Sequence, residues 1–193
     1  MIPWRFTGGL PETKCGLGST LETTENLRLA LTLLVRSFGI ETLIDVPCGD
    51  CNWISRVDLG DAHYIGIDQD ADHLSVAVQR QWSFPPASVS FVSADAMQFK
   101  LSPCDAILCR DFLQHLTTTN AEMFVDNLFA SSWSWLFATS HTNEVNEEIE
   151  SDGMFRPLNL CLPPFSFPVP TFSIFDPPGS GRILGCWQRG DIE

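Results

Sequence analysis

A chain of 193 residues, 44% hydrophobic and 11% aromatic, can bury one substantial core and is short for two. Its 24 acidic against 11 basic residues give a formal charge of -13, a field that repels a phosphate backbone, so nucleic-acid substrates are set aside and a neutral or cationic acceptor is expected. No run reaches the roughly 20 apolar residues of a membrane span, and the first nine residues lack the charged and apolar regions of a signal peptide, so the expectation is a cytoplasmic protein without a membrane partner.

Residues 1–22, rich in glycine and proline, read as a lead-in rather than a helix. Thr23 or Thr24 can cap a helix over Glu25 to Phe38, whose leucines keep one face buried and which Gly39 ends. A strand over Thr42 to Val46 follows, then a short helix over Trp53 to Val57 and a strand over Tyr64 to Asp68. The pattern continues with a helix from Ala71 to Gln81, a strand at Val89 to Val92 and a strand at Asp105 to Cys109. A helix carrying Asp111 and His115 is predicted next, then helix over Asn120 to Phe129 and a strand at Trp135 to Thr139. Strand and helix alternate, the signature of a parallel sheet covered on both faces. After residue 140 the pattern changes: Thr171 to Phe175 and Arg182 to Trp187 flank Pro177-Pro178-Gly179-Ser180-Gly181 and predict an antiparallel hairpin on the sheet edge. The expected fold is an α/β, Rossmann-like, doubly wound and mostly parallel seven-stranded sheet in a single domain. Its parts are a lead-in over the site (1–22), a cofactor-binding core (23–140), and acceptor-side loops with the hairpin (141–193).

In such sheets ligands settle at the carboxyl ends of the strands, where strand order reverses. Asp45 with its glycine loop follows the first strand, Asp68 ends the second, Asp95 lies past the third, and Arg110 and Asp111 follow the fourth. An adenosine with a charged amino-acid tail needs a close backbone approach, here at Gly49, an acid for its ribose and an acceptor for its adenine, here Asp68 and Asp95. The loop lacks both the Gly-x-Gly-x-x-Gly of dinucleotide sites and the Gly-x-x-x-x-Gly-Lys of a P-loop.

The order Asp45-Val-Pro-Cys-Gly49-Asp50, Tyr64-Ile-Gly-Ile-Asp68, Ser93-Ala-Asp95-Ala96 and Ile107-Leu-Cys-Arg-Asp111 resembles class I S-adenosylmethionine-dependent methyltransferases over about residues 40 to 140. Gly16-Leu-Gly-Ser-Thr20, Cys109-Arg-Asp-Phe-Leu-Gln-His115-Leu116 and Arg156-Pro-Leu-Asn-Leu160 resemble a small microbial and viral group linked to glycan modification. Pro47 and Cys51 replace the outer glycines of the family turn, so cofactor approach rests on Gly49. The resemblance implies S-adenosylmethionine as cofactor, with Thr20, Asp45, Gly49, Asp68, Gln69, Asp95, Ala96 and Arg110 around it.

For the chemistry, Asp111 and His115, four apart, would share a helix face, with the acid orienting a histidine base. His141, after the fifth strand, is the rival base. A divalent cation on Asp111 and the acidic run Glu144, Glu147, Glu148, Glu150 and Asp152 is the alternative, and the metal stays open. Cys48 and Cys51 form one Cys-x-x-Cys pair, half of a zinc site, and loop packing is preferred. His63 and His73 read as surface residues, and Phe165 and Phe167 as the acceptor contact. The expected reaction is O-methylation of a sugar hydroxyl, with a small natural product or amine as the other acceptor and a non-catalytic partner subunit as the non-enzymatic alternative.

Overall fold

The computed structural model describes residues 12–192; the first half of the expected lead-in lies outside them. Seven strands form one sheet: β1 (Thr42–Asp45), β2 (His63–Asp68), β3 (Ser88–Ser93), β4 (Ala106–Cys109), β5 (Trp135–His141), β6 (Phe172–Phe175) and β7 (Arg182–Gln188). Their spatial order is β3-β2-β1-β4-β5-β7-β6. The first five run parallel, while β7 pairs antiparallel with β5 and β6 with β7. The mostly parallel sheet with an antiparallel edge hairpin is thus as the pattern predicts. Order reverses between β1 and β4, which places a crevice over their carboxyl ends.

Alternation along each strand sends neighbouring side chains to opposite faces. Leu43, Leu108, Phe137 and Leu184 join one core with Leu27, Leu31 and Val35 of helix α1 (Glu25–Ser37) and Leu74 of α2 (Ala71–Ala77). Ile44, Ile107, Leu136 and Trp187 join the other, with Ala121, Phe124 and Leu128 of α3 (Thr118–Phe129). Helices therefore cover both faces.

Three local expectations change. Thr24 sits at the start of α1, but its hydroxyl donates back to the Thr20 carbonyl (2.8 Å) and makes no side-chain cap. Helix α2 stops at Ala77 instead of Gln81, because the chain tightens into i to i+3 turns there and swings the Arg80 guanidinium onto Asp50 (3.0 Å) and the Glu12 carbonyl (2.8 Å). Finally, no helix carries both Asp111 and His115. Asp111 has φ +59, its N–H donates to Thr139 Oγ1 (2.8 Å), and only Leu113–His115 form a single 3-10 turn.

Candidate cofactor and acceptor site

The strand ends open into a cavity of about 680 Å³, within the range that holds a nucleoside-sized ligand. Asp45, Gly49, Asp68, Gln69, Asp95, Ala96 and Arg110 all line it, as do Asp111 and His115. Thr20 does not; its hydroxyl is engaged by the Leu17 carbonyl (3.0 Å) and by Thr23 (2.9 Å), and the neighbouring Ser19 lines the cavity instead. His141 is also outside the lining, buried with Nδ1 3.2 Å from the Leu158 amide nitrogen, and burial lowers its basicity.

The β1 loop is built from both sides. The Gly49 N–H donates to Asp68 Oδ2 (2.8 Å) and the Asp70 N–H to Asp68 Oδ1 (2.8 Å), so the acid ending β2 fixes the loop that ends β1. Each carboxylate oxygen keeps a further lone pair for a ligand hydroxyl. Asp50 turns away to hold the lead-in, accepting from Thr13 Oγ1 (3.1 Å), the Lys14 N–H (2.8 Å) and Arg80 (3.0 Å). Gly49 has φ +58, and a Cβ there would lie 2.6 Å from Cys15 Sγ. The glycine is therefore required by its backbone and by Cys15, whereas the sequence alone suggested that the ligand would fill that space. Cys48 and Cys51 are buried in the core, with Cys51 Sγ 3.4 Å from the Tyr64 hydroxyl, consistent with loop packing.

Asp45 is buried and accepts from the Tyr64 hydroxyl (2.6 Å). Burial pushes its carboxyl up to about 7, with Tyr64 pulling the other way. His73, expected at the surface, instead lines the cavity with Nδ1 3.8 Å from Asp68 Oδ2. Burial alone would lower its basicity, but Asp68 and Cys15 outweigh this and bring it to about 10, so it carries charge beside the β2 acid. No hydrophobic period marks His73; a histidine three residues into a helix that follows a strand-end acid was the available signal. Trp53, likewise missed, lines the cavity below the Arg110 guanidinium (5.1 Å).

On the other side of the switch point the charges are paired. Arg110 makes a two-pronged contact with buried Asp176 (2.8 and 2.9 Å) and donates to the Gly18 carbonyl (2.7 Å). Arg182 donates to Asp111 Oδ1 (2.9 Å) and also approaches Asp176. Burial would raise the Asp111 carboxyl, but Arg110 and Arg182 hold it below the usual carboxylate range. Asp111 is thus bound to Arg182 and Gln114. The His115 Nδ1 meets the Met154 carbonyl (3.1 Å). A carbonyl only accepts, so Nδ1 carries the proton and Nε2 is the basic nitrogen of the neutral ring.

Among the described residues no three His, Cys, Asp or Glu side chains come together as a metal site. In the acidic run, Glu148 and Asp152 accept from the Thr118 and Thr117 N–H groups at the start of α3, and Glu148 also pairs with Arg156 (2.9 Å). Phe165 and Phe167 lie away from the cavity. They border a separate hollow beside α3, and Phe167 packs edge-on against Trp187, so neither lines the cavity that Asp45 and His115 share.

Residues 43–131 match the family described as a methyltransferase domain. Among solved structures, magnesium protoporphyrin IX methyltransferase from Synechocystis PCC 6803, with bound S-adenosylmethionine, is 16% identical with a TM-score of 0.52, covering 67% of this chain and 64% of its own. The N-methyltransferase NodS from Bradyrhizobium japonicum WM9, with S-adenosyl-L-homocysteine, is 19% identical with a TM-score of 0.51, covering 62% of each chain. The methyltransferase domain of bacterial CtHen1 is 16% identical, with a TM-score of 0.51 over 62% of this chain and 66% of its own. This chain thus spans just under two thirds of the length of these neighbours. Curated protein sequences give no match. Among the described residues no helix is long and apolar enough to cross a membrane. The fold is that of the class I methyltransferases, Rossmann-like and seven-stranded, and its residues 43–131 match a methyltransferase domain, for which the cofactor is S-adenosylmethionine.

Proposed function

We propose that the chain is an S-adenosylmethionine-dependent O-methyltransferase acting on a sugar hydroxyl. The observation that carries this reading is one cavity wall in which Asp45, Asp68 and Asp95 stand at three successive strand ends and His115 closes the far side. The donor set suits the cofactor: acids for ribose hydroxyls and the amino group, Ala96 beside Asp95 at the adenine position, and Arg110 and Gly49 near the amino-acid tail. S-adenosylmethionine supplies an electrophilic methyl group on a positively charged sulfur. Asp68, fixed by two backbone N–H groups, orients the ribose, and His73 balances its charge. His115, with its proton held on Nδ1, accepts the acceptor hydroxyl's proton at Nε2. Asp111 and Arg182 form a neutral pair beside it and hold the wall in place. The glycan acceptor itself rests on the resemblance of three short sequence strings.

Transfer of a labelled methyl group to a panel of methyl glycosides, phenols and amines tests the reading. His115→Ala should lower turnover on a glycoside by roughly 10²–10⁴-fold while calorimetry finds the cofactor affinity nearly intact. Transfer to amines alone would replace the sugar reading, and the acid-rich wall gives that second acceptor a physical basis. Full activity in the variant would remove His115 as base.

A further inference from the structure

The segment after β5 contains a side chain that the cofactor site does not explain. Residues 153–158 run back along the loop that follows β4. The Gly153 N–H donates to the His115 carbonyl (2.7 Å), the Arg156 N–H to the Gln114 carbonyl (3.1 Å), and the Leu158 carbonyl accepts from the His141 N–H (2.9 Å). Arg156 and Leu158 are 3% and 1% exposed, and Arg156 is pinned by Glu148 (2.9 Å). Just before them, between the anchored Gly153 and Arg156, Phe155 is 60% exposed and Met154 45% exposed. The Phe155 ring touches two histidines, with centroids 5.7 Å from His115 and 5.9 Å from His141. An anchored backbone that presents an exposed aromatic ring beside a cavity wall is preorganised for binding, because little freedom is lost when a ligand settles on it.

We propose that Phe155, flanked by Met154, is the acceptor platform, on which a neutral ring lies with its C–H face against the aromatic face and its hydroxyl toward His115. The inference rests on His115 marking the acceptor side of the cavity. A ring's C–H edges carry slight positive charge and the aromatic face slight negative charge, so a pyranose gains area and electrostatics together. The platform supplies what Phe165 and Phe167 were expected to supply, from the opposite end of the same segment.

Phe155→Ala and Phe155→Trp test the assignment, both in kinetics and in the binding of methyl glycosides to protein saturated with S-adenosylhomocysteine, read by ligand-observed NMR. The alanine variant should raise KM for a cyclic acceptor, and weaken glycoside binding, about three- to tenfold, with kcat within about twofold, cofactor affinity and melting temperature unchanged, and recovery in the tryptophan variant. If glycosides are methylated but KM is the same in Phe155→Ala, the platform falls and the transfer reading stands. If glycosides bind and the alanine variant loses them without any methyl transfer, the platform stands and the transfer reading falls. Binding of no glycoside to the wild-type protein, or an equal loss with an acyclic polyol, overturns the platform.

Discussion

The two halves of the cavity use strand-end carboxylates in opposite ways. Over β1, β2 and β3, Asp45, Asp68 and Asp95 take neutral partners, backbone N–H groups, a tyrosine hydroxyl and a glutamine amide, and Asp68 adds one histidine. Over β4 and the hairpin, Asp111 and Asp176 are consumed by Arg110 and Arg182. A carboxylate held by dipoles can still accept from a ligand, whereas one neutralised by a guanidinium behaves as a strut. Similar sequence positions therefore divide into cavity-lining acids without an arginine and paired, architectural ones according to where the arginines fall.

The sharpest way to break this contrast is Asp176→Ala, which leaves a buried guanidinium without its counter-charge. It should destabilise the protein by about 3–5 kcal/mol in denaturant titration; a cost below 1 kcal/mol would show that the hairpin acid is not a strut. On the other side, Asp68→Ala should cost less stability than Asp176→Ala but weaken S-adenosylmethionine binding, at about 1.5–3 kcal/mol for each charged hydrogen bond lost. Equal damage to folding and binding would erase the difference between the halves.

Smaller effects sharpen the picture of the β1 loop. Gly49→Ala should cost about 1–2 kcal/mol from its left-handed backbone, plus the clash with Cys15, and the clash alone should vanish in the double variant with Cys15→Gly. A double-mutant cycle with no coupling would place Cys15 elsewhere. Asp45 gives the pH signature: its folded value of about 7 lies above the ordinary 3.8, so between these limits the native state binds more protons than the unfolded chain and its stability falls as pH rises. Cofactor affinity should move the other way, strengthening by about tenfold from pH 6 to 8 as the carboxyl ionises beside a cation. Calorimetry across that range checks it, and Asp45→Asn should remove the slope.

Most of the sheet was readable because it rests on short apolar runs with punctuation: β1 to β5 and the hairpin all appear where Val, Ile, Leu and Phe cluster between turn residues. The cavity wall was readable for the same reason, since strand ends fix which acids reach the crevice. What escaped depends on long-range partners. Asp111 looked like a helix residue because its spacing to His115 suits a helix, and only Thr139 and Arg182, 28 and 71 residues away, set its left-handed backbone and bind its carboxylate. His73 read as a surface residue, because nothing local shows that Cys15, 58 positions earlier, closes over it. Phe165 and Phe167 were read as the acceptor contact because they lie between prolines in a segment expected to cross the acceptor side, while Phe155, beside a motif already noted at Arg156, stood out only once its exposure was known.

The bond between Arg110 and Asp176 also has a consequence for modularity. The two residues lie 66 positions apart, and only Arg110 falls inside the stretch that matches the methyltransferase domain. A fragment ending near residue 131 would carry a bare guanidinium in the lining of its own cavity, so it could not serve as a minimal unit. Exchanging the β6–β7 hairpin with that of another protein would fail for the same reason unless Asp176 and Arg182 were transplanted as a set, because β6 and β7 complete a wall begun at β4.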